Sequence, residues 1–219
     1  MALLHRATVT PTKLELLAAW LPGRRWHQGA AGEIERVAAC RFDDPAGAVG
    51  IETMLVRFGD GAVHHVPLTY RDAPLPGCDV WLVGTAEHSV LGKRWVYDAT
   101  ADPVYLAAVA GAIIAGTGEA EEFVDVDGSG TLERREPAMT ARGTGVPGAT
   151  APGVEQIRRI EEHGDRTVVH VGSLRIVILR RITDGDLPAA ALIGRWDDQP
   201  EVTLAYLSNG WHGSICGLM

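Results

Sequence analysis

Leu14, Leu17, Ala18 and Leu21 recur at three- and four-residue spacing and fall on one stripe, which predicts a helix from about Pro11 to Trp20. Thr10-Pro11-Thr12 offers a hydroxyl to an orphan amide at its start and a proline where no donor is needed. Pro22-Gly23 ends it, and Arg24-Arg25-Trp26 leaves as a basic and aromatic linker. From Glu33 the texture turns to β. Ile34 to Phe42, Gly50 to Phe58 and Ala62 to Tyr70 are strand-length runs, parted by Asp43-Asp44-Pro45-Ala46-Gly47 and by Gly59-Asp60-Gly61, so three consecutive antiparallel strands are the simplest arrangement. Asp79 to Gly84 and Arg94 to Tyr97 read as short strands. Asp102-Pro103 caps a helix running to about Ala115, which Gly116 and Gly118 terminate.

In the second half, Thr140 to Gly153 repeats glycine and proline and is predicted to be a linker or mobile loop, because such residues do not settle into ladders. Val154 to Glu161, Thr167 to Val171, Ser173 to Ile182 and Val202 to Leu207 read as strands. Ala189 to Arg195 suits either a short helix or a strand. The expected fold is α+β, antiparallel β-sheets with a few packed helices. It divides into a first region at 1–139, a Gly/Pro-rich loop at 140–153, a β-rich region at 154–207 packed on the first, and a tail at 208–219.

A chain of 219 residues with 46% hydrophobic content can bury one large core or two small packed ones. The net charge of −8 opposes nucleic acid and anionic membrane surfaces as partners. Cys40, Cys78 and Cys216 are far apart and lack CxxC spacing, as suits reduced thiols in a cytoplasmic protein. The apolar run before His5 and Arg6 is too short for a signal peptide, and that from Val104 to Ala115 is too short to span a bilayer.

The order of LELLAAWLPGRRW, HHVPLTYRDAPL and GTAEHSVLGKRWVYDATADPVYLAAV, between Lys13 and Ile114, resembles the N-terminal cap of actinobacterial maltokinases and the free-standing cap-like proteins found beside them. EEFVDVDG and LPAAALIGRWDDQPEVTLAYL extend the similarity to the free-standing proteins. The resemblance implies the cap's α+β fold and a role in maltose, trehalose and glycogen metabolism. In the parent kinases the cap precedes a phosphotransferase body. Phosphoryl transfer needs a catalytic Asp, metal-holding Asn and Asp, and a phosphate lysine. His163-Gly164-Asp165 mimics the start of that family's catalytic loop, but Arg166 to His170 does not continue it. The expectation is therefore a non-catalytic accessory protein that binds a protein partner or a carbohydrate, with no cofactor and with homo-oligomerisation left open.

Four sets of residues could carry chemistry. Asp125, Asp127 and Ser129, with Gly130 and Glu136, follow the spacing of a calcium loop, yet Pro137 stops the exit helix and the flanking residues alternate like a hairpin, the preferred reading. Glu87 and His88, with Arg94 and Asp98, gather titratable groups between strands as ligand-binding candidates; turn polarity, a cap at Asp102 and an ion pair of Arg94 are the preferred account of them. Of His64 and His65, alternation should turn one to the core and the other to water, leaving no metal set. Most tryptophans are expected in the core. The tail gathers Trp211, His212, Ser214 and Cys216 among glycines, side chains that modifying enzymes alter, so a second reading is a large leader with a modified C terminus, although a loose or simply docked chain end is the preferred account of the tail. A third is a carbohydrate-binding module or an enzyme acting through Glu87 and His88.

Overall fold

The computed structural model describes residues 2–4, 7–27, 29, 32–125, 131–154, 156–183, 185 and 187–208. Among these residues no helix is long and apolar enough to cross a membrane. The chain opens with β1 (Ala2–Leu4) and β2 (Val9–Thr10), then α1 (Lys13–Trp20). It continues through β3 (Ile34–Phe42), β4 (Gly50–Phe58), β5 (His64–Arg71), β6 (Leu82–His88), β7 (Gly92–Asp98) and α2 (Pro103–Ala115). The hairpin β8 (Glu122–Asp125) and β9 (Leu132–Arg135) precedes β10 (Thr140–Gly143), β11 (Ile157–His163), β12 (Arg166–Val171), β13 (Leu174–Leu179), β14 (Ala191–Arg195) and β15 (Val202–Leu207).

The strands form two six-stranded sheets, ordered β2-β6-β7-β5-β4-β3 and β10-β14-β15-β13-β12-β11, and a small sheet β1-β8-β9. Every neighbour in the two large sheets is antiparallel. Numbered from its own first strand, each large sheet reads first, fifth, sixth, fourth, third, second, so the chain builds one topology twice. The chain crosses the first sheet after its opening strand as α1 and the second as an irregular segment whose Ala149, Ala151 and Val154 pack on the larger core.

That larger core sandwiches α2 between the sheets. Tyr105, Leu106, Val109 and Ile113 of the helix meet Cys40, Ile51 and Leu55 on one side and Val169, Ile176, Ile178 and Leu204 on the other. A second core lies under α1, where Leu17, Leu21 and Trp26 meet Met54, Val56, Val66 and Val96. With helices on both faces, the middle of the first sheet is buried through and through, which is why Gly50–Phe58 reads as a nearly unbroken apolar run.

Helix α1 starts later than its sequence suggested. Of the two threonines Thr12 is the cap: its Oγ1 accepts from the Glu15 amide at 3.2 Å while a Glu15 carboxylate oxygen accepts from the Thr12 amide at 2.7 Å. Asp79–Trp81 is a 3-10 turn, not strand, because Gly77 at φ 72° and the bond from the Trp81 amide to the Cys78 carbonyl close the chain there. Ala191–Arg195 is a strand. The glycine-rich stretch is no linker at its start: Thr140–Gly143 pairs with β14. Gly143, Gly145 and Val146 then donate to the carbonyls of Thr117, Ile113 and Ile114 at 2.9, 2.9 and 3.0 Å. The glycines let this segment lie directly on the C-terminal turn of α2 and satisfy its last carbonyls.

A polar seam joins the halves. The fully buried Arg180 sends Nη2 to Asp98 Oδ2 at 2.6 Å and to Thr100 Oγ1 at 3.1 Å, and Nε to Thr167 Oγ1 at 2.7 Å. Its guanidinium lies 4.7 Å from the Trp26 ring centre. Beside it the backbone amides of His65 and Ile182 bond across to Arg180 and Val63. Trp26, read as part of a linker, is 1% exposed, and its Nε1 donates to Glu162 at 3.0 Å.

Candidate functional site

The sheet face that carries α1 is open beside the helix's first turn, as a cleft of about 630 Å³. Ala39, Tyr70, Ala86 and Val96 of the sheet line it, with Lys13 and Leu16 of α1 and, from the small hairpin, Glu122 and Arg135. Its volume is in the range of small-molecule sites.

At its base lies Glu52, 3% exposed in the middle of an apolar strand. Lys13 Nζ pairs with its Oε2, the Tyr70 hydroxyl donates to the same oxygen at 2.6 Å, and Arg41 Nη2 stands 3.8 Å away. Burial alone would raise the pKa of Glu52, but Lys13, Arg41 and the two hydrogen bonds overcome it and hold it at about 2. Burial, with Glu52 opposing, lowers the pKa of Lys13. Burial and then the neighbouring carboxylate push the Tyr70 phenol well up. Glu122 is different: 6% exposed and lining the cleft, it forms no hydrogen bond or ion pair among the described residues. Burial raises its pKa, with Arg41 and Arg135 opposing.

Of the four ligand candidates the sequence singled out, the cleft gathers His88 and Arg94. His88 Nδ1 accepts from the amides of Val90 and Leu91 at 3.2 and 3.1 Å, which puts any ring proton on Nε2. Arg94 Nη2 donates to the Leu91 carbonyl at 2.6 Å, in place of the expected ion pair, and its Nε is buried without a partner among the described residues. Glu87 is exposed away from the cleft, and Asp98 is consumed in the seam. Asp102 caps α2 as expected, accepting from the Val104 amide at 3.0 Å, and takes a two-pronged pair from Arg71 at 2.7 Å for both contacts. Lys13, Arg41, Glu52, Tyr70 and Glu122 escaped the sequence reading. The one signal for them is a charged residue, Glu52, inside a run otherwise fit for the core.

Asp125 ends β8, and Glu136 follows β9, within 3.7 Å of Arg134. Strands flank the calcium-like loop where the template needs helices. Asp127 and Ser129 lie outside the described residues, as do the tail candidates Trp211, His212, Ser214 and Cys216. Among the described residues no group of three or more His, Cys, Asp or Glu could hold a metal ion. Trp20, Trp26 and Trp196 are buried, and Trp81 and Trp95 half-buried.

His64 and His65 overturn the expectation of one inward and one outward ring: they are 2% and 0% exposed. Alternation turns them to opposite faces, but both faces are covered there. His65 Nδ1 bonds the Leu179 carbonyl at 2.8 Å, while His64 stacks near His27 and Trp26, and its ring nitrogens make no well-aligned hydrogen bond among the described residues. Burial, the main cause, lowers both pKa values to about 4. The unfolded chain therefore takes up protons that the folded one refuses between about pH 6.5 and pH 4, and stability falls with pH across that window by roughly 1.4 kcal/mol per unit for each histidine. Glu52 adds nothing until the pH drops below its unfolded value of 4.5. Urea unfolding should show a clearly lower midpoint at pH 5 than at pH 7, and equal midpoints would contradict this burial.

An antiparallel sheet with a capped helix across it and a charged cleft beside the helix defines a β-rich α+β domain. Residues 20–102 match the family model of the Maltokinase N-terminal cap domain, so the chain contains a maltokinase N-terminal cap domain. The match runs from the last residue of α1 to the cap residue of α2. It takes in Arg41, Glu52, Tyr70, His88 and Arg94, while Lys13, Glu122 and Arg135 come from outside it. No curated protein matches the chain.

Proposed function

We propose that this chain is a non-catalytic binding protein of maltose, trehalose and glycogen metabolism, working in the cytoplasm as an accessory to the enzymes there and acting through the cleft of its cap domain. The observation that carries this reading is the disposition of the cap sheet. One face is sealed by α2 and the second sheet, while the other holds an open, charged cleft. Buried charge such as Glu52 is costly to fold, and a network of that kind beside an accessible cavity marks a site of binding more readily than one of packing. The family match supplies the metabolic neighbourhood by its name alone, and fold does not fix activity.

The purified chain, incubated with ATP, Mg²⁺ and maltose in a coupled assay, is expected to consume no ATP above the buffer rate. Sustained, sugar-dependent consumption would overturn the non-catalytic reading.

A further inference from the structure

The charges of the cleft do not balance locally. Glu52 is engaged through Oε2 by Lys13 and Tyr70, with Arg41 3.8 Å away. Asp44 is spent on its own loop, accepting from the amides of Ala46, Ala48 and Val49 at 3.0, 3.0 and 2.9 Å, and Asp43 is also engaged. Against these stand three guanidinium groups, Arg36, Arg94 and Arg135, on three different strands, none in an ion pair among the described residues. In a chain of net charge −8, unpaired cations gathered at one cavity are a local preference for an anion, since more distant charges are screened within about 8 Å at physiological salt. Arg94 adds a buried Nε with no acceptor among the described residues, a donor that costs free energy until something fills its place.

Glu122 supplies the second half of the recognition. The residue is 6% exposed, lines the cleft and has no hydrogen-bond partner among the described residues. It faces Arg135 across the small hairpin in direct register, with Arg41 also near. A carboxyl set among guanidinium groups is unsuited to a cation but well suited to a ligand hydroxyl, which can donate to it. We propose that the cleft is a receptor for a small polyol bearing an oxyanion, the anionic group held by Arg36, Arg94 and Arg135 and a neighbouring hydroxyl by Glu122. This rests on the proposed binding role of the cleft and names its ligand class.

Calorimetric titration of the intact chain with glucose 6-phosphate, gluconate, glucose and inorganic phosphate tests it, the first two probes separating a phosphate from a carboxylate source. At least one anionic sugar is expected to bind tenfold or more tightly than glucose and than inorganic phosphate. Arg135→Gln, at an exposed position, should weaken that binding about tenfold with the circular dichroism unchanged, and Glu122→Gln should shrink the advantage over inorganic phosphate. Silence of both anionic sugars, glucose binding as tightly as glucose 6-phosphate, or full affinity in an Arg94→Gln, Arg135→Gln double variant would each overturn the inference. ATP turnover by the wild type would end the non-catalytic reading while leaving this one standing.

Discussion

Gly143→Ala is expected to leave little folded protein. A Cβ at this position would stand 1.8 Å from the carbonyl oxygen of Ala112, 2.5 Å from its carbon and 2.8 Å from the Cα of Ile113. All three are backbone atoms of α2, so no side chain can swing aside. Relief requires β10 to move off the helix, which breaks the bonds from Gly145 and Val146 to the last carbonyls of α2 and from Gly143 to Thr117 just beyond it. The cost should reach at least about 4 kcal/mol, the range reserved for gross backbone or core disruption, against a total stability of roughly 5–15 kcal/mol for a protein domain. Gly111→Ala is the matched control. Its Cβ would meet nothing within 4 Å in the middle of α2, and it should be neutral or add up to about 1 kcal/mol. Soluble yield and urea unfolding of the two variants check the pair, and a Gly143→Ala protein melting with the wild type would mean that β10 does not lie on α2.

The same glycines show where the sequence stops being readable. Local pattern located what is locally determined: Ile34–Phe42, Gly50–Phe58 and Val202–Leu207 were delimited to the residue, and Asp102-Pro103 was correctly read as the start of α2. Gly143 and Gly145 misled because a glycine demanded by a neighbouring backbone looks the same in one dimension as a glycine that loosens a loop. His64 and His65 misled because alternation tells which faces two side chains take, not whether both faces are covered. The repeated sheet topology left no trace, since two sheets can share an order of strands with no residue in common beyond an alternating pattern. The cleft was half legible. His88 and Arg94 stood out as polar residues near a turn, but Lys13, Glu52, Tyr70 and Glu122 meet only when α1, β4, β5 and β8 are assembled, and no spacing encodes that.

Asp98 was a ligand candidate in the sequence and became the anchor of the seam, and this change carries the account's central claim: the cap sheet and the second sheet are one body, so the cleft is the face the cap is left to work with. Arg180→Met removes the cation and leaves a fully buried Asp98 carboxylate with Thr100 as its remaining partner. Breaking a buried pair from one side costs about 3–5 kcal/mol, most of it the uncompensated charge. Because Trp26 lies against the guanidinium, its fluorescence reports on the seam itself. The decisive measurement is urea unfolding of Arg180→Met followed by tryptophan fluorescence and by circular dichroism together. One shared transition, moved to lower urea by that amount, is the predicted result; a wild-type midpoint, or a first sheet that unfolds separately from the second at its original midpoint, would contradict the claim.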